Sequence, residues 1–279
     1  METSLKEKIL AQRRIFYNNI QVQYEIVKAL HHREMSIITA KTEEKRFTTR
    51  YIVAFSVAYL KKHFERFYFY EVPRNLYMSV ATLKNIPIFS YNMEQRRKEP
   101  QYIEFNKNYK NYVDGYDLFL DVDFQDYEDL KKNYWQVLKI NEVFTEYKLP
   151  FWCMNSSLKG IHFHIPSSYM PFEWGIDKLL EILNQVAYNF KGIYSADRID
   201  TSIFDIKRLC RCAYSYSCDG SICLPLDDNQ ILNFKPKMVE MENVLKTIQI
   251  RNRGLLVRNV NLGEETLKNN VVKFLNDFS

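Results

Sequence analysis

The chain of 279 residues carries 39 Lys and Arg against 34 Asp and Glu, a formal charge of +5, and 46% of it is hydrophobic. That length allows one large domain or two interlocked modules with ample chain to bury a core, and excludes a mini-protein that needs staples. With 26% charged residues and no run near the ~18 apolar residues of a membrane span, no membrane partner is expected.

The N-terminus is charged from Glu2 through Arg14 and has no apolar signal core. No signal peptide is read, and an intracellular setting, cytoplasmic or nucleoid-associated, is expected. Leu5, Ile9, Ile15, Ile20, Ile26 and Leu30 recur at helical spacing, which predicts a helical region over 4–32. A basic stretch over 41–50 precedes a helix expected over 51–60 and a strand over 67–72, closed by Pro73. Residues 76–83 read as strand or helix, and 94–100, EQRRKEP, as an exposed loop.

The second half is better punctuated. Strands are predicted over 118–122, from Phe151 to Met154 and over 160–165, with helices over 127–147 and 171–190 and short elements over 206–226. That order is an α/β or α+β pattern. With 7 Gly in the chain, Gly115, Gly160, Gly192 and Gly220 each read as a turn. Cys153, Cys210, Cys212, Cys218 and Cys223 form an odd set without C-x-x-C pairs, so reduced thiols are expected and zinc is not. The basic balance and 15% aromatic content suit a polyanion, although most of the 20 Tyr and 19 Phe belong in a core.

Three blocks carry chemistry. In Tyr116-Asp117-Leu118-Phe119-Leu120-Asp121-Val122-Asp123, the period of two puts Asp121 and Asp123 on one face of a strand. Neighbouring carboxylates repel, and a hard divalent cation, Mg²⁺ or Mn²⁺, resolves the conflict; two solvated carboxylates at a strand end are the plainer alternative. In Asn155-Ser156-Ser157-Leu158-Lys159-Gly160-Ile161-His162, hydroxyls, backbone N–H groups, an ammonium and an imidazole supply the donors a triphosphate needs. The plainer alternative is a structural histidine. In the third, Asp200 could complete a three-carboxylate metal site while Arg208 and Arg211 offer charge to phosphates, though all three are also ordinary surface residue types.

Together and in this order the blocks resemble the archaeo-eukaryotic primase superfamily, which carries an Asp-x-Asp block, a Ser-Gly-x-x-Gly-x-His-like block and a later Asp. Ser157 stands where the family usually has Gly, and Cys212-Ala213-Tyr214 replaces a Pro, Ser and His that often follow the basic segment. The stretch 73–87 also looks like that before the metal block of small primase subunits. The resemblance covers roughly residues 67–226 and implies a two-unit primase-polymerase core over 67–279 behind an N-terminal helical region, 1–66. Its fold pairs an N-terminal α/β unit with a module like an RNA-recognition motif, the active site lying between them. It assigns metal binding and catalysis to Asp121, Asp123 and Asp200, and nucleotide contacts to Ser156, Ser157, Lys159, Gly160, His162, Arg208 and Arg211.

The activity implied is DNA-dependent nucleotidyl transfer by a two-metal mechanism, making short RNA or DNA primers on single-stranded DNA from nucleoside triphosphates. A large primase subunit or a replication helicase is the kind of protein partner the resemblance allows. Repair or gap-filling polymerisation uses the same site. His162-Phe163-His164 also matches the His-hydrophobic-His metal pair of rolling-circle nicking enzymes, for which Tyr147, Tyr188 and Tyr194 are candidate nucleophiles. An accessory nucleic-acid-binding subunit is the non-enzymatic alternative.

Overall fold

The computed structural model describes residues 2–39, 48–54, 56–66, 74–90, 93–202, 204–217, 220–251 and 257–279. In chain order come α1 (Glu2–Asn18), α2 (Ile20–Ala29), β1 (Met35–Thr39), β2 (Thr48–Ile52), α3 (Val57–Arg66), β3 (Arg74–Ser79) and β4 (Ala81–Leu83). They are followed by α4 (Met93–Arg96), α5 (Pro100–Lys107), β5 (Val113–Tyr116), β6 (Leu118–Asp123), α6 (Tyr127–Asn133) and α7 (Trp135–Glu146). Then come β7 (Trp152–Ser157), β8 (Gly160–Ile165), α8 (Ile176–Ile193) and β9 (Leu209–Arg211). The chain closes with β10 (Pro225–Leu226), α9 (Asp228–Leu232), α10 (Met241–Arg251) and α11 (Glu264–Phe278). This is the mixed α/β architecture expected, in two compact units that interleave along the chain. The first holds Met1–Asp114, Leu209–Cys223 and Lys237–Gly254; the second holds Gly115–Arg208, Leu224–Pro236 and Leu255–Ser279.

The first unit is built on an antiparallel sheet ordered β2-β1-β3-β9. The helical region read over 4–32 breaks at Asn19, whose Oδ1 accepts from the backbone N–H of Gln21 and Val22 at 2.9 and 3.3 Å. An N-cap of this kind starts a new helix, because it satisfies donors that a continuous helix would have bonded internally. The helix expected over 51–60 is instead the end of β2 and the start of α3, and 76–83 resolves as strands. The loop expected over 94–100 holds most of α4 and the start of α5. Pro100 takes the first turn of α5, where its missing N–H costs nothing, and Arg96 is buried with Nε donating to the Ser90 carbonyl at 2.8 Å. The strand over 67–72, Pro73 and Cys218 lie outside the described residues. Cys153, Cys210, Cys212 and Cys223 are buried thiols.

The second unit carries an antiparallel sheet ordered β10-β7-β8-β6. Its outer edge is extended beyond β6 by residues 198–200, through an antiparallel bridge between Val122 and Ile199. The chain order β6, α6 with α7, β7, β8, α8 and then residues 198–200 is a β-α-β-β-α-β arrangement. The spatial order, last-first-third-second, is that of a split βαβ module, in agreement with the RNA-recognition-like unit expected. Alternation divides the sheet's faces: Leu118, Leu120 and Val122 with Ile161, Phe163, Ile165 and Cys153 point one way, all buried. That face meets Phe144 of α7, Phe190 of α8 and Phe274 of α11, with Phe144 ring centroids 5.8, 6.1 and 5.5 Å from Phe163, Phe190 and Phe274. Burial of about 1.5–3 kcal/mol per large apolar side chain pins the register, because a one-residue slip would take these residues off the helices and set the carboxylates against them.

Candidate functional site

The opposite face of the same strands carries Asp117, Phe119, Asp121 and Asp123 on β6 or just before it. Register places Asp121 opposite His162 and Asp123 opposite Gly160. His162 Nε2 lies 3.3 Å from Asp121 Oδ1, and Phe119 meets the His162 ring edge-on with centroids 4.8 Å apart. His162 is 3% exposed and its Nδ1 is buried without a hydrogen-bond partner. The ring therefore has Asp121 as its present polar partner.

Asp200 is brought to Asp121 by backbone pairing. The Asp200 N–H donates to the Asp121 carbonyl at 2.9 Å and the Asp123 N–H to the Arg198 carbonyl at 3.1 Å. Asp200 Oδ1 accepts from the N–H and hydroxyl of Ser202 at 2.8 and 2.7 Å, an Asx turn that fixes the side chain. Its Oδ2 lies 3.6 Å from Arg208 Nη2, which is also 3.9 Å from Asp121 Oδ2.

The β7–β8 hairpin closes the site on the other side. A register shift between Asn155 and Ser157 marks a bulge, and Asn155 holds it by accepting from the Leu224 N–H through Oδ1 at 2.7 Å. Gly160 is needed here for space: an added Cβ would stand 2.2 Å from Ser156 Oγ and 3.4 Å from Asp123 Oδ1. Ser157 is not among the residues with positive φ, so the turn does not demand glycine there. Its Oγ accepts from the Lys159 N–H at 3.2 Å. Lys159 is exposed and its Nζ donates to the Gln125 carbonyl at 3.3 Å. Of the other glycines read as turns, Gly115 lies in β5 and Gly192 in α8, while Gly220 has φ +90°.

The electrostatics separate the two strand carboxylates. Burial would raise the Asp121 pKa, but the charge and hydrogen bond of His162, then Arg208 and His164, prevail and hold it below the usual carboxylate range. Asp123 is pushed up, by burial and then by the charge of Asp121, against the opposing pull of Lys159 and His162. Among the described residues no group of three or more His, Cys, Asp and Glu side chains is arranged to hold a metal ion. The donor chemistry still fits Mg²⁺ or Mn²⁺: oxygen ligands only, like charges raising the Asp123 pKa, and Arg208 and Lys159 as compensating cations.

Arg211 belongs to the first unit. It lies on β9 of the first, opposite Tyr77 of β3, with its guanidinium 5.0 Å from the Tyr77 ring centroid.

The fold is similar over most of its length to the polymerase domain of Ligase D from Mycobacterium tuberculosis in complex with DNA. The TM-score is 0.56 at 12% identity, covering 88% of this chain and 89% of that one. The chain shares the fold of that polymerase domain. More distant likenesses are to the catalytic domain of the primase Repb' in complex with initiator DNA (TM-score 0.38, 10% identity, 84% of this chain and 98% of that) and the primase-polymerase domain of cyanophage S-2L (0.35, 14%, 74% and 91%). No family model and no curated protein matches the sequence. Among the described residues no helix is long and apolar enough to cross a membrane.

On the sheet of the second unit two sets of residues support the site beyond those assigned to it. Asp117 and His164 are fully buried; His164 Nδ1 is 3.3 Å from Asp117 Oδ2, the Ser167 N–H donates to Asp117 Oδ1 at 2.8 Å, and the His164 ring stacks on Trp152 at 4.0 Å. Period two already places Asp117 on the face of Asp121, a usable signal. Gln136 of α7, also buried, accepts from the Arg198 N–H at 3.1 Å and donates to Asp197 Oδ1 at 2.6 Å, clamping the segment that carries Asp200. Arg198 is held further by Asp129 at 2.8 Å. No pattern around Gln136 signals this.

Proposed function

We propose that the protein is a template-directed nucleotidyltransferase that makes short RNA or DNA primers on single-stranded DNA from nucleoside triphosphates. The observation that carries this reading is the gathering of Asp121, Asp123 and Asp200 beside the Ser156–His162 hairpin on one sheet face, in a fold shared with a polymerase domain. Asp121, Asp123 and Asp200 would hold Mg²⁺ or Mn²⁺, which supplies activation of a 3′-hydroxyl and neutralises charge on the pyrophosphate leaving group. His162 keeps the Asp121 carboxylate aligned and ionised. Ser156, Ser157, Lys159 and the backbone at Gly160 offer hydroxyl, ammonium and amide donors to the triphosphate, with Arg208 adding a guanidinium suited to bidentate phosphate contact. Arg211 remains a phosphate-contact proposal from the sequence alone. A large primase subunit or a replication helicase belongs to this priming reading.

Repair or gap-filling extension is the second reading, favoured by the likeness to the Ligase D polymerase domain. The His-hydrophobic-His nicking reading finds less support, because His164 is fully buried and engaged by Asp117 and Trp152.

The test is incubation of the purified full chain with single-stranded DNA, Mn²⁺ or Mg²⁺ and labelled nucleotides, with and without an annealed primer. New chains without primer are expected, and Asp123→Asn is expected to abolish them while keeping the melting temperature. Extension only from a primer would move the assignment to gap filling. Undiminished synthesis by Asp123→Asn would overturn the metal assignment.

A further inference from the structure

Arg208 stands where the cation of the proposed reaction would act, and three observations describe how it is held. Its Nη2 spans Asp121 Oδ2 and Asp200 Oδ2 at 3.9 and 3.6 Å, beyond the usual 2.7–3.2 Å of a hydrogen bond. Its Nε is buried without a hydrogen-bond partner. Its own backbone is fixed in a turn, with the Arg208 N–H donating to the Asp205 carbonyl at 2.8 Å and the Lys207 N–H to Asp205 Oδ1 at 2.6 Å. The guanidinium is thus attached to the two carboxylates by charge alone, on a side chain anchored at its base and unsatisfied along its length.

We infer that Arg208 is a displaceable internal cation, neutralising Asp121 and Asp200 until a divalent ion arrives with a nucleotide, whose phosphates then take the guanidinium. This inference rests on the nucleotidyl-transfer reading of the site. The physical reason is competition. A guanidinium within about 4 Å of two carboxylates reduces the charge available to an incoming dication, and full ligation of that dication by the same oxygens requires the guanidinium to leave. A triphosphate compensates the move, because its planar fork fits phosphate oxygens and gives Nε and both terminal nitrogens acceptors. Metal and nucleotide binding are then positively coupled through one side chain, and by linkage each strengthens the other equally. The arrangement guards against idle loading of the site with metal in the absence of substrate.

The experiment measures Mn²⁺ binding to the purified full chain by calorimetry and by electron paramagnetic resonance of free Mn²⁺, with and without a non-hydrolysable nucleoside triphosphate. The variants are Arg208→Gln, which removes the charge, and Arg208→Lys, which retains it. Without nucleotide, Arg208→Gln is expected to bind Mn²⁺ at least about tenfold more tightly than the parent, since a cation beside two ligands has gone, while Arg208→Lys stays near the parent. Nucleotide is expected to tighten Mn²⁺ binding to the parent and to do so much less in Arg208→Gln. Equal or weaker Mn²⁺ binding by a folded Arg208→Gln, with the parent still binding Mn²⁺ in an Asp123-dependent way, overturns the inference and leaves the metal site standing. No Asp123-dependent Mn²⁺ binding by any form, with or without nucleotide, overturns both.

Discussion

Gly160→Ala tests whether the hairpin is a donor cradle or merely a turn. The new methyl carbon would stand 2.2 Å from Ser156 Oγ, a distance no real contact tolerates, but 3.6 Å from Ser156 Cβ and 3.4 Å from Asp123 Oδ1, which are ordinary contacts. Only the hydroxyl has to move, by rotation about χ1, and Gly160 is not among the residues with positive φ, so alanine suits the backbone. An altered rotamer costs about 0.5–1.5 kcal/mol, so the melting temperature should fall only slightly. Activity should fall further. A hydroxyl turned away from a charged ligand forfeits about 1.5–3 kcal/mol, roughly a tenfold to hundredfold loss in kcat/KM for the incoming nucleotide. The assay is steady-state incorporation on a primed template, for Gly160→Ala, Ser156→Ala and the double variant. Because both changes act through one hydroxyl, the double variant should be no worse than Ser156→Ala. Parental kcat/KM in Gly160→Ala, or additive losses in the pair, would refute the cradle.

Three further predictions concern the supports beneath the site. Asp117→Ala leaves His164 and the Ser167 N–H without their carboxylate and should cost roughly 2–5 kcal/mol in urea unfolding; an unchanged midpoint would show the buried pair to be energetically idle. Gln136→Ala orphans the Arg198 N–H and releases Asp197, costing about 1–3 kcal/mol. Through the loosened 198–200 segment it should also weaken Asp200-dependent Mn²⁺ binding, so calorimetry and unfolding should both respond. Carboxyl NMR of the metal-free protein should show Asp121 titrating below the ordinary range and Asp123 above it, as their surroundings require. The signs for stability are opposite. Asp121 contributes stability present above its ordinary pKa and lost as pH falls through the depressed value, whereas ionised Asp123 opposes folding and that opposition is relieved as pH falls through its raised value. Asp121→Asn should bring the Asp123 titration down, and an unmoved titration would rule out their mutual repulsion.

The parts of this site legible in the sequence are those governed by local periodicity. Asp121 and Asp123 could be put on one face because a strand repeats every two residues, and the apolar partners Leu120 and Val122 mark the face that packs on the helices. The same rule reaches Asp117, four positions before Asp121. Asp200 is different, because backbone hydrogen bonds along the outer edge of β6 carry it to Asp121, and main-chain pairing between segments so far apart leaves no imprint on side-chain type. Gln136 is illegible for the same reason, being a polar residue in mid-helix whose partners are a backbone N–H and a distant Asp.

Proximity in sequence does not carry over to the units of the fold. Arg208 and Arg211 read as one basic segment, yet Arg208 closes the run of the second unit while Leu209, Cys210 and Arg211 pair with β3 in the first. The cause is again main-chain pairing: Met78 faces Cys210 and Tyr77 faces Arg211, so the strand takes Arg211 with it and seats the guanidinium on an aromatic ring. Substitution should separate the pair accordingly. Arg208→Gln should change Mn²⁺ binding in the absence of nucleotide, whereas Arg211→Gln, whose guanidinium lies over the Tyr77 ring of the first unit, should leave it within about twofold of the parent. Equal effects of the two substitutions on metal affinity would show that the arginines act as one charge cluster, and that the division drawn from β9 pairing has no bearing on the site.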